Sequence, residues 1–107
     1  MQADDAIIEK ILRPVSTDNV PPGHLLPDFV FWCPGCRFGH GLWVTRKNSR
    51  GAQWTWNGDQ EKPTFTPSLL MDTTKPRCHL FVRNGMLEFL SDCEHELAGK
   101  TLPMEPF

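Results

Sequence analysis

The chain contains no tyrosine, no apolar run approaching the roughly 18 residues of a membrane span, and no excess of positive charge. Neither the missing tyrosine nor the ten prolines carry a functional reading. The absence of a long apolar run excludes a helical membrane span, and the acidic start MQADDAIIEK lacks the basic and then apolar pattern of a signal peptide, so the expected location is the cytoplasm. A net charge of −2 counts against a general nucleic-acid binder, because neutralising phosphates takes clustered cations on a basic surface. Signature spacings of zinc enzymes are missing too. There is no His-Glu-x-x-His, and no His-x-Glu lies upstream of the Cys pair as zinc deaminases require.

What is present is led by FWCPGC, residues 31–36, which sets Cys33 and Cys36 two residues apart on a Pro-Gly turn, the bite of a zinc knuckle. Four cysteines in a chain expected to be intracellular point to metal ligands rather than disulfides. At 107 residues the chain is one domain's worth, burying about two-thirds of its unfolded surface, and a bound metal would add useful stability. The expected division is an N-terminal helix and Pro-rich loop over 1–28, followed by a zinc-binding β domain over 29–107.

Residues 4–13 show an amphipathic helical pattern, with Ile7, Ile8, Ile11 and Leu12 on one face, stopped by Pro14. The prolines and Gly23 of residues 15–28, with His24 among them, make a loop. Strands are expected at 29–32 and 42–45, flanking the knuckle as in a zinc ribbon. Arg46, Lys47 and Arg50 form a basic loop, read as solvated. Residues 52–56 alternate as a half-buried strand, and the tryptophans at 32, 43, 54 and 56 are read as core. The charged return after Asn57-Gly58 is expected to be a loop. In PTFTPSLLM the hydroxyls of Thr64, Thr66 and Ser68 share one face if the segment is extended, either as exposed edge or as a polar strip facing a ligand.

Residues 78–90 carry the firmest local signal, because Asn84-Gly85 suits a two-residue type I′ turn between CHLFV and MLEFL. That turn pairs Val82 with Leu87 and Leu80 with Phe89 on an apolar face, and Phe81 with Glu88 on the other. By the same parity Cys78 and Cys93 meet on the inward side. Docked on Cys33 and Cys36 they would close a structural four-sulfur zinc site, with His79, His95 or His40 as alternative ligands. A catalytic zinc would need an open position and a base, for which Asp92 or Glu94 are the candidates beside His79 or His95.

The ordered motifs CPGC…GH, WTWNGD, PTFTPS, CHLFVRNG and FLSDCEHELAG, spanning residues 29–105, resemble a family of small phage and prophage proteins often given the label ammonia monooxygenase. The resemblance implies a β-rich zinc-binding domain with Cys33, Cys36, Cys78 and Cys93 as ligands, and with His79, Asp92 and His95 in the shared pattern. The chain is more distantly similar to zinc-binding domains encoded beside bacterial ubiquitin-like conjugation genes, whose C-x-x-H pair implies His79 as a ligand. The expectation is therefore an α+β domain, mostly antiparallel β, built on a structural zinc and serving as a protein-binding module directed at a host protein. A small zinc hydrolase using His79 or His95 with Asp92 or Glu94 is the rival. A nucleic-acid binder using Arg46, Lys47 and Arg50 is the third reading.

Overall fold

The computed structural model describes residues 10–16, 26–72 and 75–107. Its strands are β1 (Arg13–Pro14), β2 (Phe29–Cys33), β3 (Phe38–Leu42), β4 (Thr55–Trp56), β5 (Phe65–Met71), β6 (Cys78–Arg83), β7 (Met86–Phe89) and β8 (Thr101–Pro103). They form two antiparallel sheets, one ordered β1-β2-β3 and the other β4-β5-β6-β7-β8. No helix occurs among the described residues, so the expected α+β class is corrected to all-β. Residues 4–9 of the expected N-terminal helix lie outside the described residues, and its remainder is not helical. Arg13 instead pairs with Val30 across an antiparallel ladder while Leu12 is buried, and this tertiary pairing outweighs a weak local helical preference. Among the described residues no helix is long and apolar enough to cross a membrane.

The β6–β7 hairpin follows its turn. Asn84 and Gly85 both take positive φ, 53° and 74°, as the type I′ geometry demands, and the register sets Leu80 against Phe89 and Val82 against Leu87. Period-two alternation then buries Cys78, Leu80 and Val82 and turns His79, Phe81 and Arg83 outward. From the other sheet, Phe31, Cys33 and Leu42 join the same core, together with Leu12, Trp54, Phe65 and Leu69.

Two expected strands are displaced. The partner of β2 begins at Phe38, directly after the knuckle, rather than at Leu42, because a tight turn with Arg37 in the left-handed region pairs Cys33 with Phe38. Beyond Leu42 the Asp28 carboxylate takes over from the ladder: Val44 N–H and Thr45 N–H donate to its Oδ2 at 2.7 and 2.9 Å, and Thr45 Oγ1 to its Oδ1 at 2.7 Å. The strand expected over 52–56 shrinks to Thr55–Trp56. Trp54 is nevertheless buried and Thr55 exposed, and Trp56 stacks on Phe65 with ring centroids 6.1 Å apart. The return is a loop, organised by Asn57 Oδ1, which accepts the N–H groups of Asp59 and Thr64.

Strand β5 is irregular. Its pairing with β6 shifts register between Phe65 and Leu69, a bulge that re-aims the residues between them, and β4 covers only Phe65 and Thr66 on its other side.

Candidate metal centre and hydroxyl–imidazole–carboxylate chain

Two clusters sit back to back on β6. On the inward side, ligand atoms of Cys33, Cys36, Cys78 and His95 all lie within 4.8 Å of one another, close enough to bind a metal ion. Each reaches the cluster for a local reason. Cys33 ends β2 and Cys36 closes the Pro-Gly turn, its N–H directed at Cys33 Sγ at 3.4 Å. Cys78 is the first inward residue of β6. His95 lies on the turn after β7, edge-on to Phe89 at 5.0 Å, with Leu97 N–H donating to its Nδ1. Gly35 is required for this approach, since a Cβ there would overlap the His95 imidazole.

The donor set fits a tetrahedral ion. With Zn–S near 2.3 Å and Zn–N near 2.0–2.1 Å, the edges of such a site are about 3.8 Å between sulfurs and about 3.5 Å from sulfur to nitrogen. Cys33 Sγ and Cys78 Sγ are 3.8 Å apart, and Cys78 Sγ and His95 Nε2 are 3.4 Å apart. A hydrogen bond from the Cys78 thiol draws Cys33 down to about 4, whereas that same bond and burial push Cys78 strongly upward. Burial and the negative charge on Cys33 push Cys36 up to about 11. Thiolates packed this closely repel one another, and a divalent cation among them would make several tolerable at once.

Cys93 stands outside this group. Its Sγ accepts the His79 N–H at 3.3 Å and donates to the His79 carbonyl at 3.1 Å. His40 is also outside it. That ring is buried, 3% exposed, packs edge-on against Phe31 and Phe38, and leaves Nε2 without a hydrogen-bond partner among the described residues. The Glu94 carboxylate is engaged by the Arg77 N–H at 2.7 Å and Lys75 Nζ at 3.1 Å, which together hold it below the usual carboxylate range. Of the basic loop, Arg46 pairs with Asp28 and Arg50 with Asp72.

On the outward side of β6 stands a second arrangement. Ser68 Oγ is 3.2 Å from His79 Nε2, and His79 Nδ1 is 3.1 Å from Asp92 Oδ2 and 3.2 Å from Oδ1. This is the geometry of a nucleophile, a base and the group that orients the base. The carboxylate selects the tautomer with the proton on Nδ1, leaving the Nε2 lone pair for the Ser68 hydroxyl. The main chain of His79 is fixed at its carbonyl, which accepts both the Leu90 N–H and the Cys93 thiol.

His79 and Asp92 were singled out in the sequence, but beside a metal; Ser68 was read only as one hydroxyl of a polar strip. The strip does not hold as such, because Thr64 Oγ1 turns to accept the Asn84 N–H at 2.9 Å while Ser68 faces the imidazole. The signal available was the ordered set TPS, CH and SDC, in which two of the triad-type residues directly flank cysteines.

No curated protein and no solved structure matches the chain. Residues 13–90 match the family model described as bacterial ubiquitination-like system serine protease (BubE), and the chain belongs to that family.

Proposed function

We propose that this chain is a serine protease of a bacterial ubiquitination-like system, with Ser68 as nucleophile, His79 as general base and acid, and Asp92 as the residue that orients the imidazole. The single observation that carries this reading is the contact chain from Ser68 Oγ through both His79 nitrogens to Asp92, in a member of a family described as serine proteases. As Oγ attacks the carbonyl carbon of a peptide bond, Nε2 takes its proton, and Asp92 stabilises the imidazolium that results. Collapse of the adduct expels the amine, protonated from Nε2, and leaves an acyl-serine. Water, deprotonated by the same nitrogen, then releases the carboxylate and restores Ser68.

Zinc is the ion we propose for Cys33, Cys36, Cys78 and His95, because three thiolates and one imidazole are a donor set it favours, and such a closed site would be structural. Bound there, it would supply rigidity to the ends of β2 and β6 and no chemistry to the acyl transfer. Its bearing on catalysis is through the backbone, because Cys78 is bonded to His79 and the turn carrying His95 also carries Asp92.

Incubation of the purified chain with a fluorophosphonate probe tests the reading. Mass increase mapped to Ser68, absent in Ser68→Ala and strongly reduced in His79→Gln, is expected. A chain that is folded and metal-loaded yet never labelled would return the protein to the reading its sequence first favours, a metal-stabilised protein-binding module.

A further inference from the structure

Among the described residues, the strand that carries Ser68 has an unfinished edge. On its outer side β5 is covered by β4 only at Phe65 and Thr66, and past that point the loop at 48–54 stands off from it. The gap is a cleft of about 440 Å³ lined by Arg50, Trp54, Pro67, Ser68, Leu70 and Asp72. It runs into a second hollow of about 210 Å³, which shares Arg50, Trp54 and Leu70 and reaches Trp43 and His40.

The register shows what the edge offers. The His79 carbonyl accepts Leu90 N–H at 2.9 Å and its N–H meets Cys93, so its main-chain groups look toward β7. Leu70 is directly opposite His79 on β5, and across such a non-hydrogen-bonded pair the main-chain groups of Leu70 point the other way, into the cleft. The Ser68 carbonyl faces the same side, where Trp54 Nε1 donates to it at 3.4 Å. No described residue pairs with the Leu70 N–H or C=O. The Leu70 side chain is 48% exposed and, with Phe38, is one of two large apolar side chains among the described residues that stand open to solvent. Beyond it, buried His40 Nε2 lacks a partner among the described residues in the wall of the second hollow. The Arg50–Asp72 ion pair, 3.5 Å, ties the loop to the strand across the cleft.

We infer that the substrate binds as an extended, unfolded segment of polypeptide added to the open edge of β5, exchanging main-chain hydrogen bonds with Leu70 and laying an apolar side chain on Leu70 while its scissile bond reaches Ser68. This rests on the proposed role of Ser68 and deepens it. A strand edge supplies a donor and an acceptor at a fixed spacing and recognises any extended main chain, with side-chain hollows adding selectivity. A folded or helical segment, whose main-chain groups are already paired, cannot use it. The occupant is therefore a flexible tail or linker of a protein, and the scissile bond lies outside any folded domain.

The test perturbs the substrate, so that the fold of the enzyme is untouched. Fluorogenic decapeptides of mixed sequence first yield one that is cleaved, and each of its backbone amides is then N-methylated in turn. Ser68 labelling by fluorophosphonate is followed in parallel, because that small probe does not need the strand edge. The expected result is labelling at Ser68, cleavage of the parent peptide, and a loss of about tenfold or more in kcat/KM at one or two alternate positions with little change between them, the size of a lost main-chain hydrogen bond. Labelling and cleavage with every N-methyl peptide within twofold of the parent would overturn strand addition and leave the triad standing. Labelling with no decapeptide cleaved would also overturn it. Absence of labelling would remove the catalytic reading itself.

Discussion

Replacing Gly35 by alanine adds one methyl group at the point where the knuckle meets His95. The backbone there is not in the left-handed region, so alanine is conformationally permitted and its whole cost is the overlap with the imidazole. That ring has little room to give, because Phe89 lies edge-on to it at 5.0 Å and Cys78 Sγ is 3.4 Å from its Nε2. The expected consequence is loss of one ligand in four. Structural zinc in four-ligand sites contributes an apparent 10–16 kcal/mol near pH 7, so one ligand is worth about 3–4 kcal/mol, or two to three orders of magnitude in affinity. Competition against a chelating zinc dye measures this directly, and thermal unfolding with and without excess zinc separates lost metal from lost fold. The double variant Gly35→Ala/His95→Ala should bind zinc no more weakly than His95→Ala alone, since both remove the same contact. Wild-type affinity in Gly35→Ala would refute the placement of His95 at the metal.

Other outcomes follow from the same geometry. Cys36→Ser should lose the stoichiometric zinc, whereas Cys93→Ala should keep it and instead lower the rate of Ser68 labelling, because Cys93 holds the main chain of His79; atomic absorption and labelling kinetics read the two apart. Asp92→Asn should retain fold and metal while losing on the order of ten-thousandfold in turnover, since the imidazole is then held in the wrong tautomer. Chelation together with a thiol reagent should abolish labelling and cooperative unfolding at once, as metal binding is folding free energy here. Asp28→Ala should destabilise the chain by about 2–3 kcal/mol in urea unfolding, the worth of hydrogen bonds to a charged acceptor. Burial opposes ionisation of Asp28, but the N–H groups of Thr45 and Val44 outweigh it and set its pKa below 3.8. Its contribution is therefore complete above the unfolded-state value and fades as pH falls through the lower folded one, so the variant should lose its disadvantage only in strong acid.

How far the chain could be read in advance depended on the range of the interactions involved. The hairpin at Asn84-Gly85 was legible because a two-residue turn dictates its own register, and from that register came the inward position of Cys78 and its meeting with Cys33 and Cys36. Parity failed beyond Phe89, where the strand ends: the following turn swings His95 into the cysteine cluster and leaves Cys93 on the backbone of His79. Ser68 was hidden for a different reason. Its contact with His79 depends on a bulge in β5 and on pairing with a strand that starts ten residues later, neither of which leaves a periodic trace. The N-terminal pattern misled because four apolar residues at helical spacing say nothing of a sheet edge elsewhere that needs Leu12. The β3 boundary escaped because Asp28, fourteen residues before Leu42, supplies the acceptor that ends the ladder.

Cys78 and His79 are neighbours whose side chains leave opposite faces of one ribbon. Lengthening that ribbon by a single residue upstream of Cys78 is harmless only if the slack is taken up before the pair; one added between them would put both side chains on one face, and a slip of one step against Met71 and Leu70 would send the sulfur outward and the imidazole inward. Such a slip would dismantle the Cys/His cluster and the Ser68–His79–Asp92 chain together, so the two arrangements can drift in sequence on either side of this dipeptide but are bound to travel through it in step.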